Sequence, residues 1–372
     1  MATAASLNTD RMTDTERVAS ELLLSAIAFE RFGTDMTARI MRRFQDMERD
    51  LAATVVDLDY LSARTAEERN VLLAELMDVA GDIVTATYEA ILAEMTQDLD
   101  AVAETSEGSA INALALVLGA AFAIPKLRTV PVERLRELAD ETRIEGGLVS
   151  EWLERQKDDA IFRFKRAVMD TESNDLDIGD LVESVTGTRS AGRQDGIFQS
   201  AKRNAESLAR TAVAAVAAKV RLEVYERNSG DDGVIVAVGQ ISTLDSRTSD
   251  VCIAYSGCRW KYPDYEPIGH RLPFNGGTPR HFRCRSVIVP IINAKEKAQG
   301  EQASQYGPVP AHWTYEDWLR SRPEDERKDI LGAAKFTLWK SGKISFADLV
   351  DQRGNPLTVA ELIKRFSRRQ PD

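Results

Sequence analysis

Over the first half of the chain, apolar residues recur in steps of four and three. Val18, Leu22, Ala26 and Phe29 share one face behind Thr13-Asp14-Thr15-Glu16, a spacing that lets the Glu16 side chain reach back to the Thr13 backbone as a capping box. Gly33-Thr34 is expected to break that helix. Ile40, Phe44, Met47, Leu51, Val55 and Leu58 then form one stripe. After a second capping box at Thr65 and Glu68, Leu72, Leu76, Val79, Ile83, Ala86 and Ala90 form another. Two long striped helices with a short connection predict an antiparallel hairpin. The alternative is a larger bundle in which each stripe faces a different neighbour. Further helices are expected over 132–142 and 150–170, the second capped by Ser150 and buried through Trp152, Leu153, Ile161, Phe164 and Val168.

The pattern changes near Asp180. The polar, acidic stretch TESNDLDIGD (171–180) marks a boundary. DLVESVTG reads as a short helix closed by Gly187, and an alanine-rich helix follows from about Asp195 to Arg227. VIVAVGQIST (234–243) and SVIVPII (286–292) are β-branched runs, which predict two strands able to pair across a long irregular connection. Residues 293–310 read as a polar linker. A helix is expected from about Asp325 to Lys340, then a turn at Gly354-Asn355-Pro356 and a last helix capped by Thr358 with Glu361. The expected fold is mostly α with a small α+β module, in three consecutive stretches. These are an N-terminal helical bundle or long hairpin (1–175), a helix-plus-antiparallel-strand module with long loops (176–294), and a linker with a C-terminal helical tail (295–372).

Composition narrows the function classes. The 372 residues allow two or three domains, and 43% apolar with 29% charged residues reads as soluble and globular. A net charge of −11 opposes attraction to phosphate, and the basic run Lys364–Gln370 is short, so no specific nucleic-acid binding is expected. The stretch 109–125 is apolar, but its run of about 15 residues falls short of the roughly 20 that span a bilayer. It reads as a helix buried on all sides, or else as a segment that meets a membrane after a conformational change. The first residues lack the apolar core of a signal peptide and three cysteines make no disulfide framework, so a reducing cytoplasm is expected.

All three cysteines and two of the three histidines lie between Cys252 and Cys284. Cys252, Cys258, His281 and Cys284 supply a Cys₃His set for a structural zinc. His281-x2-Cys284 has workable spacing, and the five-residue gap before Cys258 is wider than the roughly two to four usual in such sites. Two other readings stay open. Cys252 and Cys284 pack as small apolar groups while His281 bonds a backbone carbonyl, or the thiols are reactive, with Arg283 and Arg285 flanking Cys284. DSRTSD (245–250) follows a strand, a common place for functional polar groups. It is equally ordinary turn chemistry, with Asp245 bonding nearby backbone and pairing with arginine.

Taken together, Arg210-Thr211 in the long helix, the strand ending TLDSRTSDVC, a glycine-bearing loop and PRHFRCRS before an apolar strand resemble the phage Mu protein F-like minor head, or head morphogenesis, family of tailed phages. Asp245, Arg247, Thr248, Cys252, His281, Cys284 and Arg285 fall on that family's D-x-R-T-x-x-x-C and P-P-x-H-x-x-C-R-[CS] pattern. Four positions depart from it. Ser286 stands where many members have cysteine, Thr278 replaces the first proline, and Ser256-Gly257-Cys258 replaces Asp-Gly-Lys. The resemblance covers roughly 180–292, and the tail from Tyr315 is similar to the C-terminal part of some minor head proteins. It implies a non-enzymatic virion component near the portal, made in the host cytoplasm and oligomeric within the head. The portal protein and the major capsid or scaffolding protein would be its partners. Two alternatives accompany it: a protein ejected with the DNA that touches the host membrane, and a toxin-like enzyme of the ADP-ribosyltransferase or nuclease kind.

Overall fold

The computed structural model describes residues 12–118, 127–174, 176–230, 233–292 and 299–366. Helix α1 (Asp14–Asp57) begins at its capping box, where Glu16 Oε2 accepts the Thr13 N–H at 2.8 Å. It runs unbroken through Gly33-Thr34, against the expected break. A Cβ on Gly33 would sit 3.5 Å from the Cα of Arg210, an ordinary contact distance, so the helix is packed against a neighbour here, and that packing outweighs the poor helix propensity of glycine. Tyr60–Ser62 form a single 3-10 turn before helix α2 (Ala66–Leu118). Arg39 pairs with Asp98 and Arg43 with Glu94, so partner numbers fall as the others rise and the two helices run antiparallel there. Phe44 meets the Tyr88 ring edge-on at 5.7 Å between centroids. The α1 stripe from Ile40 to Val55 is buried as expected. The buried face of α2 is instead Leu76, Ala80, Val84, Tyr88, Ile91 and Met95, and Val79 lies on the exposed side.

Helix α3 (Val132–Asp140) and the two-residue strands β1 (Arg143–Ile144) and β2 (Gly147–Leu148) lead to helix α4 (Val149–Ser173). The cap of α4 is the Glu151 carboxylate accepting the Leu148 N–H at 2.8 Å; Ser150 lies inside the helix. Helix α5 (Ile178–Thr186) is capped by Asp177 and closed by Gly187 at φ +79°. Helix α6 (Gln199–Arg227) starts after Asp195, because that carboxylate is held at 2.7 Å by both the amide and the hydroxyl of Thr188. The apolar stretch 109–125 is helical to Leu118, as the end of α2, and the rest of it lies outside the described residues. Among the described residues no helix is long and apolar enough to cross a membrane.

The chain forms two compact units, each assembled from separated stretches. One takes Phe29–Val102 and Arg136–Val213, with Met36, Phe44, Phe164, Val185 and Phe198 in its core. The other takes Met1–Ala28, Ala103–Leu135 and Ala214–Asp372. Its pieces are joined by Ser106 Oγ donating to the Ala217 carbonyl (2.8 Å), by Gly300 N–H donating to Glu16 Oε1 (2.7 Å), and by Asn228, which bonds both the amide and the carbonyl of Arg128 at 2.9 Å. Helices α1, α2 and α6 each supply residues to both units.

The second unit holds the sheet. Strands β3 (Ala237–Ile241), β4 (Arg259–Lys261), β5 (Glu266–Pro267) and β6 (Val287–Ile291) are antiparallel in the order β5-β4-β3-β6. Strand β3 pairs with β6 in the register Ala237↔Ile291 to Ile241↔Val287, as their β-branched runs predict. Both are almost wholly buried, which explains continuous apolar runs in place of alternation. The connection between them carries the short helix α7 (Asp250–Ala254) and strands β4 and β5.

Of the expected linker, 293–298 lies outside the described residues. The rest is ordered as a hairpin of β7 (Glu301–Ser304) and β8 (Gly307–Pro310). That hairpin docks on the loop after β3: Gln305 N–H donates to the Leu244 carbonyl (2.9 Å) and Ser246 N–H to Gln305 Oε1 (2.8 Å). The tail comprises α8 (Tyr315–Arg320), α9 (Glu324–Leu331), α10 (Ala333–Lys340) and α11 (Val359–Phe366). The single helix expected over 325–340 is two helices, broken where Gly332 takes φ 75° and ψ 152°. The fold is mostly α with a small α+β module.

Candidate metal centre

Two loops build the site, one leaving β3 and one entering β6. In the first, Asp245 Oδ1 accepts the Arg247 amide (3.0 Å) and the Thr248 hydroxyl (3.1 Å). Arg285, from the second loop, donates Nη2 to the same oxygen at 2.9 Å and Nη1 to the other. The Asp245 carbonyl accepts the Tyr315 hydroxyl at 2.8 Å. Burial alone would raise the pKa of Asp245. The Arg285 guanidinium, the Arg247 amide and the Thr248 hydroxyl outweigh it and hold the carboxyl below its usual value. Asp245, Thr248 and Arg285 therefore form one hub, while the Arg247 side chain is 80% exposed and its guanidinium lies 3.8 Å from the hub carboxylate.

Ser249 caps α7, its hydroxyl accepting the Cys252 amide at 3.3 Å, and this fixes Cys252 on the first turn. In the second loop Cys284 N–H donates to the His281 carbonyl at 3.2 Å. That turn, with Arg283 at φ +60°, brings the His281-x2-Cys284 pair to one side. Cys252 Sγ then lies 3.5 Å from Cys284 Sγ and 3.3 Å from His281 Nε2. His281 Nδ1 is 2.8 Å from the Phe282 carbonyl. A carbonyl only accepts, so Nδ1 carries the proton and Nε2 presents its lone pair to the sulfurs and to Ser249 Oγ at 2.8 Å.

The ligand atoms of Cys252, His281 and Cys284 all lie within 4.8 Å of one another. A tetrahedral zinc with bonds of about 2.3 Å to sulfur and about 2.0 Å to nitrogen sets S–S at ~3.8 Å and S–N at ~3.5 Å. The observed spacings are close to these, and the imidazole tautomer is the ligating one. The group can hold a metal ion. The contact between the two sulfurs sets their pKa values apart: the hydrogen bond from Cys252 pulls Cys284 down against its burial, while that bond and burial push Cys252 up.

Cys258 is not part of this group. Its sulfur points at the Ala254 carbonyl (3.8 Å), and burial pushes its thiol up to about 12. The chain has by then reversed through Gly257 at φ +78° into β4, and the Cys258 carbonyl takes the Gln240 amide at 2.9 Å. The expected four-residue set is thus three residues at one place and a fourth elsewhere. His270, the other histidine of the window, accepts the Leu272 amide at Nδ1 (3.2 Å) and sits edge-on to Trp260. Arg210 and Thr211 belong to the other unit. There Arg210 bonds Glu206 and Thr34, both at 3.1 Å, and Thr211 donates to the Ser207 carbonyl at 2.7 Å.

Sequence reasoning missed Ser249 and Arg280. The Ser249-Asp250 pair is a readable N-cap, but a five-residue helix has no periodicity to announce it. Arg280 lies with Cζ 3.5 Å from the Tyr255 ring centroid and donates Nε to Gln240 Oε1 at 2.7 Å, which places a fixed positive charge beside the sulfurs. Nothing local distinguishes it from a surface arginine. Ser286, noted for its departure from the family pattern, donates its hydroxyl to Ser242 Oγ at 3.3 Å, and Ser242 in turn donates to the Cys252 carbonyl at 2.7 Å. Comparison with family models, curated proteins and solved structures finds no match to this chain.

Proposed function

We propose that the chain is a minor head protein of a tailed phage, a structural component bound at the portal and capsid during head assembly. One observation carries the reading: the two stretches on which the family resemblance rests close on each other. Arg285 meets Asp245 across 40 residues, and Cys284 meets Cys252 across 32. Each contact fixes a loop on the β3–β6 pair, which suits a protein that works by presenting surfaces to partners. In this reading the metal is zinc, held by Cys252, His281 and Cys284, since two thiolates and an imidazole are donors it favours. When bound, the ion would tie α7 to the loop entering β6 through these three side chains. The portal protein and the major capsid or scaffolding protein are the partners, in the host cytoplasm during assembly and in the virion afterwards.

The test is mass spectrometry of purified procapsids and virions, with this chain counted against the portal protein. A fixed low ratio in both is the expected result. Absence from both overturns the reading. Presence in virions with loss from emptied heads, together with permeabilised liposomes, would replace it with an ejected protein.

A further inference from the structure

The two sulfurs of the cluster have a second chemistry open to them. Cys252 and Cys284 are free thiols in direct contact at 3.5 Å, against roughly 2.05 Å for a disulfide bond, so closure needs a shift of about 1.5 Å. They sit on separately anchored turns, one capped by Ser249 and one closed by the Cys284–His281 backbone bond, and each turn can give a little without unpairing β3 from β6. The third thiol, Cys258, is engaged with the Ala254 carbonyl outside the cluster. The geometry points to Cys252 and Cys284 as a redox-active dithiol. An oxidant of the peroxide class closes it to a disulfide and thereby takes both sulfur ligands away from the metal. The loss of metal rests on the reading above; the disulfide rests on the sulfur contact alone.

The chemistry balances with peroxide as the only co-reactant. One sulfur attacks a peroxide oxygen, forming S–O and breaking O–O, and the departing hydroxide takes the thiol proton to become water. The second sulfur then attacks the sulfenic sulfur, forming S–S and breaking S–O. The second hydroxide leaves as water with the second proton. Two thiols lose two electrons and hydrogen peroxide becomes two waters.

The full chain, reduced and stripped by a chelator, is treated with hydrogen peroxide at neutral pH, alkylated and digested. The expected result is a loss of two hydrogen masses per chain, a crosslinked pair of peptides bearing Cys252 and Cys284, and reversal by a dithiol reductant. Cys258→Ser should give the same product, which keeps the test valid if Cys252→Ser or Cys284→Ser fails to fold. Sulfinic acid on a single sulfur without a crosslink, or a crosslink that includes Cys258, overturns the proposal. A second arm loads the chain with zinc before peroxide. Slower closure, with zinc released in step with the disulfide, is expected. A chain that takes up no zinc yet closes the bond supports the dithiol and removes the metal reading. A chain that binds zinc and never closes the bond when stripped overturns the dithiol and leaves the metal reading standing.

Discussion

Asp245 accepts hydrogen bonds from Arg285, the Arg247 amide and the Thr248 hydroxyl, while its carbonyl takes the Tyr315 hydroxyl. Asp245→Asn keeps the size and removes the charge, so the charge-assisted part of this hub is lost. Expected destabilisation is about 2 kcal/mol at pH 7, read from urea unfolding. The folded-state pKa of Asp245 is depressed from its ordinary 3.8, so its stabilisation is complete above that value and fades as pH falls through the folded one. The gap between wild type and Asp245→Asn should therefore close in acid. Arg247 has the opposite profile. Its exposed side chain makes Arg247→Ala neutral in the urea midpoint, and a loss of incorporation into heads with unchanged stability would mark it as a partner contact. At this scale the sequence carried the identity of the site, since Cys252, His281 and Cys284 converge. It did not carry direction. Cys258 has the right chemistry, but its distance from Cys252 spans a helix end and a chain reversal, and spacing alone does not tell which way a side chain points after a glycine at positive φ.

Two glycines separate what propensity can and cannot decide about elements. Gly33 was expected to end a helix and sits inside one, with room for a methyl group at ordinary contact distance from Arg210. Gly33→Ala should raise stability by about 1 kcal/mol, by removing backbone freedom from the unfolded chain. Gly332, inside a stretch that reads as one helix, splits α9 from α10 with a backbone conformation that only glycine adopts readily, although nothing crowds it. Gly332→Ala should cost about 1–3 kcal/mol through strain alone. Thermal unfolding of the two variants should shift in opposite directions. Long elements were legible because burial repeats along them: α1, α2, α4, α6 and the β3–β6 pair. The stripe on α2 was read one position off: it ran through Val79, which is exposed, and left out Tyr88, which is buried against Phe44. Strands β4, β5, β7 and β8 and helix α7 span two to five residues each, too short for any period to show.

The separated stretches of each unit make the molecule's stability depend on contacts far apart in sequence, the arrangement that slows folding most. A metal held by the cluster would belong to this scale as well, because it would tie residues 32 apart and bind only the folded arrangement. Zinc added to chelator-stripped protein at about 100 times its dissociation constant should stabilise by about 2.7 kcal/mol, seen as a rise in the thermal midpoint that Cys252→Ser abolishes. The same division of the chain sets an order of events during synthesis. The unit of Phe29–Val102 and Arg136–Val213 has all its residues once Val213 leaves the ribosome, whereas the other draws on the tail as far as α11. At about 5–20 residues per second, the first unit has roughly 8–30 s to close before its neighbour is fully translated. A nascent chain of this protein would therefore be half-folded, with the β3–β6 loops and their Cys252, His281 and Cys284 side chains still waiting on the ribosome for their partners to emerge.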